Sequence, residues 1–368
     1  MANQTITIED IARRLNVSKA TVSYVLSGKA RRVGVSEEMT RRVREAAKEL
    51  KYVPNHWAKA LSSQRTGMIS VIFDTLLMGW SQRVMDGIEE VLIDANYTAA
   101  IYAHTIASSR NNHLLKSEER KVLSILERRD EGVICQIVDQ FKPQYKKLIT
   151  AGVPMVFLNE IEDMAGLETV DRVGWDSGQA AEVAVKHLID CGYKRIGYFG
   201  LQLAVKSCHE RYAAYLSVMQ QAGLAVNPQW IINQKPISPL PPYTDLATQF
   251  KEMILGDSPK PDAIFVMNDY LAIHLLGIMR ECGLKTPDDI ALVGMGELDV
   301  TSVAGLTTMR EPLYEIGRQA AKILLNRIQN PSAEPVFEHI TCNELIIRNS
   351  TAGKAKPQTN SVESMPKG

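Results

Sequence analysis

The sequence predicts an all-α helix-turn-helix headpiece with a fourth short helix, followed by a two-lobe α/β domain with parallel sheets flanked by helices. Three observations predict it. The first is a change of period: short helical patterns fill residues 1–52, whereas apolar strands alternate with helices from Gly67 onward. The second is length, because 368 residues allow two or three domains and the strand–helix part is too long for one small sheet. The third is charge. The chain carries 42 basic and 42 acidic residues, yet residues 1–65 hold 13 Lys and Arg against 6 Asp and Glu, a net of +7. The remaining 303 residues hold 29 against 36, a net of −7. Neutrality is an average over a basic module and an acidic body.

In the basic module, Thr7 stands as N-cap before Ile8 to Leu15, with Asp10 in the first turn. Asn16-Val17 makes a turn, Ser18 caps Lys19 to Leu26, and Gly28 stops that helix. Ser36 caps a longer helix from Glu37 to about Leu50, whose apolar face is Met39, Val43, Ala46, Ala47 and Leu50. Tyr52-Val53-Pro54 ends it, and Asn55 precedes a fourth short helical stretch from His56 to Leu61. Two helices joined by a tight turn in a basic surround are the parts of a helix-turn-helix. Ile11, Ala12, Leu15, Val17, Val22, Val25 and Leu26 suit its small core. Lys19, Ala20, Thr21, Ser23 and Tyr24 then fall on the outer side of the second helix. A plain three-helix bundle with a solvated basic face fits the same pattern.

The α/β part offers apolar runs at Met68–Phe73, Ala99–Tyr102, Val133–Ile137, Val153–Leu158, Ile196–Phe199, Ala263–Val266 and Ile290–Val293. Amphipathic helical patterns lie near 81–95, 117–129, 177–190, 209–222, 269–282 and 313–329. Near-continuous apolar strands argue for sheets covered on both faces, which bind ligands beyond the carboxyl ends of their strands. Residues 349–368 are rich in Lys, Pro and Ser and read as a disordered tail.

Several classes drop out. No run of about 18 apolar residues suits a membrane span, and Met1 to Thr7 has no secretory pattern, so a cytoplasmic protein is expected. Cys135, Cys191, Cys208, Cys282 and Cys342 are scattered without a CxxC pair, which suggests a reducing compartment and neither disulfides nor zinc. No GxSxG, P-loop, GxGxxG or HExxH motif and no paired catalytic carboxylates are found, so no enzyme, catalytic residue or cofactor is expected. His104 and His113 read as loop residues without a third ligand, so no metal site is expected either.

A family resemblance adds to this reading. Thr5-Ile6-Thr7-Ile8-Glu9-Asp10-Ile11-Ala12, Asn16-Val17-Ser18, Thr21-Val22-Ser23 and Leu26-Ser27-Gly28 resemble the LacI/GalR family of transcriptional repressors. So do Val35-Ser36, Thr40-Arg41, Val43, Ala46-Ala47, Glu49-Leu50 and Tyr52-Val53-Pro54-Asn55. The likeness continues through Cys191-Gly192-Tyr193-Lys194-Arg195-Ile196-Gly197-Tyr198, Glu210-Arg211, Pro261-Asp262-Ala263-Ile264-Phe265, Asn268-Asp269 and Leu306-Thr307-Thr308. It implies sequence-specific binding to a pseudo-palindromic double-stranded DNA operator by a homodimer. The implied DNA contacts are Thr7, Ser18, Lys19, Ala20, Thr21, Ser23, Tyr24, Ser27, Lys29, Arg31, Arg32, Asn55, Lys59 and Leu61. Leu61 takes the wedge position of a hinge formed by Asn55, Ala58, Lys59, Ala60, Leu61 and Ser62. Such a wedge unstacks a base step and bends DNA onto more protein surface. Ordinary packing of Leu61 between domains is the bland alternative. The family often has Arg at the place of Tyr24 and Asn at that of Ser27, so a different base preference follows. The loop Lys29 to Gly34 is about three residues longer than usual; phosphate contact and plain solvation suit its three cations equally.

For the acidic body the resemblance implies a periplasmic-binding-protein-like core with three crossovers and an effector cleft. One lobe would take about 66–160 and 292–322, the other about 161–291 and 323–348. The implied cleft residues are Trp80, Asn159, Ser207, Arg211, Asn268 and Asp269. An aromatic platform, an arginine fork and an acid suit a sugar or sugar derivative. Core packing for Trp80, and a structural ion pair for Arg211 and Asp269, are the alternatives. Val293-Gly294-Met295-Gly296-Glu297 departs from the family's acidic pair, and Ala103 to Lys116 is longer than usual. The expected organisation is a DNA-binding domain at 1–54, a hinge at 55–65, an effector and dimerisation domain at 66–348 and the tail. A solute-binding protein of a transport system is the second functional class, weakened by the basic headpiece.

Overall fold

A computed structural model describes residues 6–53, 65–75, 79–104, 113–136, 138–159, 163–202, 205–234, 244–256, 258–342 and 344–352. The chain divides into two compact units, Met1–Gly67 and Met68–Gly368.

The first unit contains α1 (Ile8–Leu15), α2 (Lys19–Leu26), a 3-10 turn (Ala30–Val33) and α3 (Glu37–Glu49). Local chemistry explains each boundary. Thr7 closes a capping box with Asp10 on α1, and Asn16 ends that helix in the left-handed region at φ 51°. Ser18 and Ser36 accept from the Thr21 and Met39 amides at the starts of α2 and α3. Ile11, Ala12, Val22, Val25, Ala30, Val43, Ala46 and Ala47 form one small core. Leu15, Val17 and Leu26, expected in it, are half-buried at its rim.

The second unit holds two six-stranded sheets. Its strands are β1 (Met68–Thr75), β2 (Thr98–His104), β3 (Gly132–Gln136), β4 (Met155–Leu158), β5 (Asp171–Trp175), β6 (Ile196–Leu201), β7 (Ile231–Gln234), β8 (Ala263–Val266), β9 (Ala291–Gly296), β10 (Thr307–Arg310), β11 (Phe337–Ile340) and β12 (Leu345–Ile346). Its helices are α4 (Gly79–Asp94), α5 (His113–Arg128), α6 (Lys142–Thr150), α7 (Ser177–Asp190), α8 (Lys206–Gln221), α9 (Thr244–Leu255), α10 (Asp269–Glu281), α11 (Asp299–Ala304) and α12 (Leu313–Gln329). The first sheet runs β11-β5-β4-β3-β1-β2 and the second β12-β10-β9-β8-β6-β7. Every pairing is parallel except the short antiparallel β10–β12.

Alternation along the strands builds the layers. Ile69, Val71 and Phe73 of β1 join Val84, Ile88 and Leu92 of α4 and Ile316, Ala320 and Leu324 of α12 in one core. Ile72 points the other way, into a separate core with Val122 and Ile125 of α5 and Tyr145 and Leu148 of α6. Helices α4 and α12 approach so closely that a methyl on Gly87 would overlap the Tyr314 carbonyl, and one on Gly317 that of Val84.

Two boundary expectations need correction. Strands β9 and β10 lie in the second sheet, while β5, α12 and β11 belong with the first. The lobes therefore take 68–175 with 312–340, and 177–310 with 345–352. The shift arises because β5 and β11 lack a clean apolar run: Asp171, Arg172 and Gly174 interrupt one, and Glu338 and His339 stand within the other. Order also continues past Arg348. Ser350 and Thr351 are buried, and Ser350 Oγ donates to Leu292 O at 2.6 Å and accepts from Thr307 N at 2.7 Å.

Candidate functional site

In the first unit the outward side of α2 is polar and open. Lys19, Ala20, Tyr24 and Ser27 are exposed, Thr21 and Ser23 half-buried. Four of the expected contact residues also have structural work. Thr7 Oγ1 donates to Asp10 Oδ2 at 2.8 Å, Ser18 Oγ lies 2.9 Å from Thr21 Oγ1, and Lys19 Nζ pairs with Glu9 at 2.8 Å. The Lys19 pair is solvent-exposed and weakly held, so a phosphate can compete for it. The long loop is an ordered 3-10 turn, seated by buried Ala30 and closed by Gly34 at φ 76°. Lys29, Arg31 and Arg32 are all exposed on it, and Arg31 pairs with Glu37 at 3.2 Å. Asn55, Ala58, Lys59, Ala60, Leu61 and Ser62 lie outside the described residues.

In the second unit the expected cleft residues follow the carboxyl ends of strands, where such folds bind ligands. Trp80 opens α4 after β1, half-buried and edge-on to Phe73 with ring centroids 5.5 Å apart. Asn159 follows β4 at φ 66°, its N donating to Val173 O at 2.7 Å. Ser207 is half-buried in the first turn of α8. Asn268 caps α10 by accepting from Leu271 N at 2.9 Å. The lobes touch beside Trp80: Arg83 of α4 pairs with Asp299 of α11 at 2.5 Å, and Gly79 faces the Leu298 side chain.

Arg211 and Asp269 differ from a surface-contact reading. Asp269 has no exposed surface; it accepts from Thr308 Oγ1 at 2.6 Å and from Leu298 N at 3.1 Å. Burial pushes its carboxyl up to about 7, opposed by those two bonds and reinforced by the charges of Glu311 and Glu297. Arg211 is 6% exposed, and its donors go to Ser177 Oγ, Met267 O and Glu311 Oε1. Arg211 is thus held in an ion pair with Glu311, whereas the partners of Asp269 are a hydroxyl and a backbone amide. The unusual Val293 to Glu297 segment follows from them: a methyl on Gly294 would collide with Asp269 Oδ1, and Gly296 at φ 142° is beside Oδ2. Glu297 turns away to form a two-bond pair with Arg348, at 2.7 and 3.1 Å.

A profile for bacterial regulatory proteins of the lacI family matches residues 7–55, and one for a periplasmic binding protein-like domain matches 185–351. The HTH-type transcriptional repressor PurR of Photobacterium profundum is 30% identical over 354 residues, covering 94% of this chain and 98% of its own. The chain belongs to the lacI family. Its fold is shared by the lac repressor dimer bound to operator and the anti-inducer ONPF (TM-score 0.76, 20% identity, 95% of this chain and 99% of that one). It is shared also by the transcriptional regulator CelR in complex with cellobiose (TM-score 0.67, 24% identity, 94% and 99%).

A lacI-family protein is a DNA-binding transcriptional regulator, and its relatives here are repressors rather than enzymes. Among the described residues, no helix is long and apolar enough to cross a membrane. The sequence assigns no site role to Ser177, Glu297, Thr308 and Arg348 of the second lobe, or to Glu311 on the connection after β10. Glu311 has a legible signal, a charged residue before Pro312 at the end of a Thr-rich apolar run, once that run is seen to be β10. A separate shallow pocket at the amino ends of β4 and β5 is lined by Ile149, Val153, Thr169, Asp171 and Arg327. Asp171 and Arg327 are bound to each other there by two 2.8 Å bonds, so the pocket offers a ligand no open polar group of that pair.

Proposed function

We propose that this chain is a ligand-responsive repressor that binds a pseudo-palindromic operator as a homodimer and senses a sugar or related uncharged metabolite between its lobes. The observation that carries the DNA half is the open polar face of α2, flanked by the cationic turn Lys29–Arg32, in a unit with surplus positive charge. Thr7, Ser18, Lys19, Ala20, Thr21, Ser23, Tyr24 and Ser27 form the α2 contact set, and Lys29, Arg31 and Arg32 meet phosphates. Asn55, Lys59 and Leu61 act in the minor groove, with Leu61 as wedge.

The uncharged effector follows from pairing. The little-exposed charges at the cleft end of the second lobe are matched, Arg211 with Glu311 and Arg348 with Glu297, while burial raises the Asp269 carboxyl to about 7. A ligand anion would find no unpaired buried cation in that group. Trp80, Asn159 and Ser207 present the half-open surface to the ligand, and Arg211, Asn268 and Asp269 stand behind it. The CelR–cellobiose complex supports a sugar for a protein of this fold.

Dimerisation is favoured by apolar surface. Ile101 on the β2 edge strand is exposed, and Val303 of α11 is 90% exposed. Two-fold half-sites also need two headpieces. The protein acts in the cytoplasm, on the nucleoid when operator-bound. Selection from a random DNA pool with the full-length protein should enrich a two-fold symmetric site; enrichment of no sequence overturns the proposal. A thermal-shift screen of sugars, polyols and nucleosides then tests the effector class, and a response only to anions refutes the uncharged assignment.

A further inference from the structure

Three chain connections join the lobes: Trp175 to Ser177, Arg310 to Leu313, and Ile340 to Leu345. Hinges bend at a few residues that end one element and begin another. Arg211 sits on the first two connections at once. Its Nε donates to Ser177 Oγ at 2.6 Å on the first, and its Nη2 to Glu311 Oε1 at 2.7 Å on the second. Its Nη1 donates to Met267 O at 2.6 Å at the end of β8, and its guanidinium carbon lies 5.7 Å from the ring centre of Trp175. The Arg211 and Glu311 side chains are only 8% and 11% exposed. Water therefore competes little for the pair, and removing one partner leaves the other charge uncompensated.

We propose that Glu311 is a positioning residue for the effector response: by holding Arg211 it sets the angle between the lobes, and a ligand drawing on the Arg211 fork resets that angle. The inference rests on reading the cleft as the effector site. The fork has five N–H donors, and the three bonds to Ser177, Met267 and Glu311 do not exhaust them. A ligand can thus engage Arg211 while Glu311 still holds it, or compete with Glu311 for the same Nη2. Either event acts on the second connection, which leads directly into α12. Helix α12 packs on α4, and α4 carries Trp80 and the Arg83–Asp299 contact on the rim of the cleft. One ion pair at the hinge is in this way linked to a rim contact that neither Arg211 nor Glu311 makes.

Hydrogen exchange read by mass spectrometry tests this on the full chain without DNA or ligand. Glu311→Ala should speed exchange at least tenfold in residues 301–306, around α11, as well as in the first turns of α7 and α12. Arg211→Ala should do the same, and the double variant should be no faster than either single one. Glu311→Gln retains an oxygen that accepts from Nη2 and should restore most of the protection. Acceleration confined to residues 310–314, or additive effects in the double variant, overturns the proposal. A second arm uses cellobiose and adenosine as probes. A probe that raises the melting temperature should slow exchange in 301–306 in the wild type but not in Glu311→Ala; equal slowing in both overturns the coupling. If neither probe acts while Glu311→Ala still accelerates 301–306, the hinge tie stands and the effector reading is what loses support.

Discussion

Asp269→Asn should change how stability depends on pH. The carboxyl is fully buried, and burial raises it from an ordinary 3.8 to about 7. Its protonated form is therefore favoured in the fold. The stability this contributes is fully present below about pH 4 and is lost as pH rises through about 7. Between pH 5 and pH 8 the wild type should lose roughly 2.5 kcal/mol through this one group, from about 1.4 kcal/mol per tenfold change in proton affinity. Asparagine does not titrate, keeps the shape, and can pair with the Thr308 hydroxyl, which reverses its role from donor to acceptor. Urea unfolding of both proteins at several pH values from 5 to 8 measures the effect. The wild type should lose ground steadily against the variant as pH rises. A difference that stays constant over that range, or grows in favour of the wild type, refutes the buried high-affinity carboxyl. Glu311→Gln should lessen the slope, because the Glu311 charge is among the causes of the rise.

Other outcomes follow from the same geometry. Gly317→Ala forces a methyl onto the Val84 carbonyl and should destabilise the α/β unit by about 1–3 kcal/mol in chemical denaturation. Asp171→Ala strips half-buried Arg327 of a two-bond partner and Val336 N of its acceptor, and should cost about 1–3 kcal/mol by the same measurement. Lys29→Ala with Arg32→Ala should leave the melting temperature unchanged. Titrations on the selected operator should show a salt dependence shallower by about 2 in the log–log slope. Leu61→Ala should weaken operator binding and reduce DNA bending in a gel-phasing assay, and unchanged bending removes the wedge assignment.

The sequence is most legible where local chemistry decides structure. Ser18 and Ser36 announce α2 and α3, and Ala263 to Val266 announce β8, because caps and apolar runs act within a few residues. The elements that escape depend on distant partners. Strand β5 contains Asp171, which is tolerable in a sheet only because Arg327, far along the chain, binds it. Helix α6, from Lys142 with Pro143 in its first turn, escapes because its buried Tyr145 and Leu148 are spaced among lysines. At the site, the carboxyl-end positions of Trp80, Asn159 and Ser207 are legible from strand–helix order. The burial of Asp269 is not, since it depends on the empty space left by Gly294 and Gly296 on another strand.

The buried charges are placed where they fix geometry rather than where they add most stability. A buried ion pair gains little over apolar residues of the same volume, because desolvation offsets most of its attraction. A hydrophobic replacement would slide, whereas a guanidinium fork binds its partners at fixed distances and angles. Arg211–Glu311 joins the first and second connections between the lobes, and a solvent-exposed, weaker pair, Arg310–Glu344, joins the second and third. Arg348–Glu297 secures the chain just after β12. A rigid sensor would need none of these ties at its connections, since each lobe already has a packed apolar core. A sensor whose lobes take up two discrete angles needs contacts that are strong in one arrangement and broken in the other. Ion pairs at the connections meet that requirement, because a small displacement at the hinge breaks a contact that depends on distance and angle while the cores on either side stay intact.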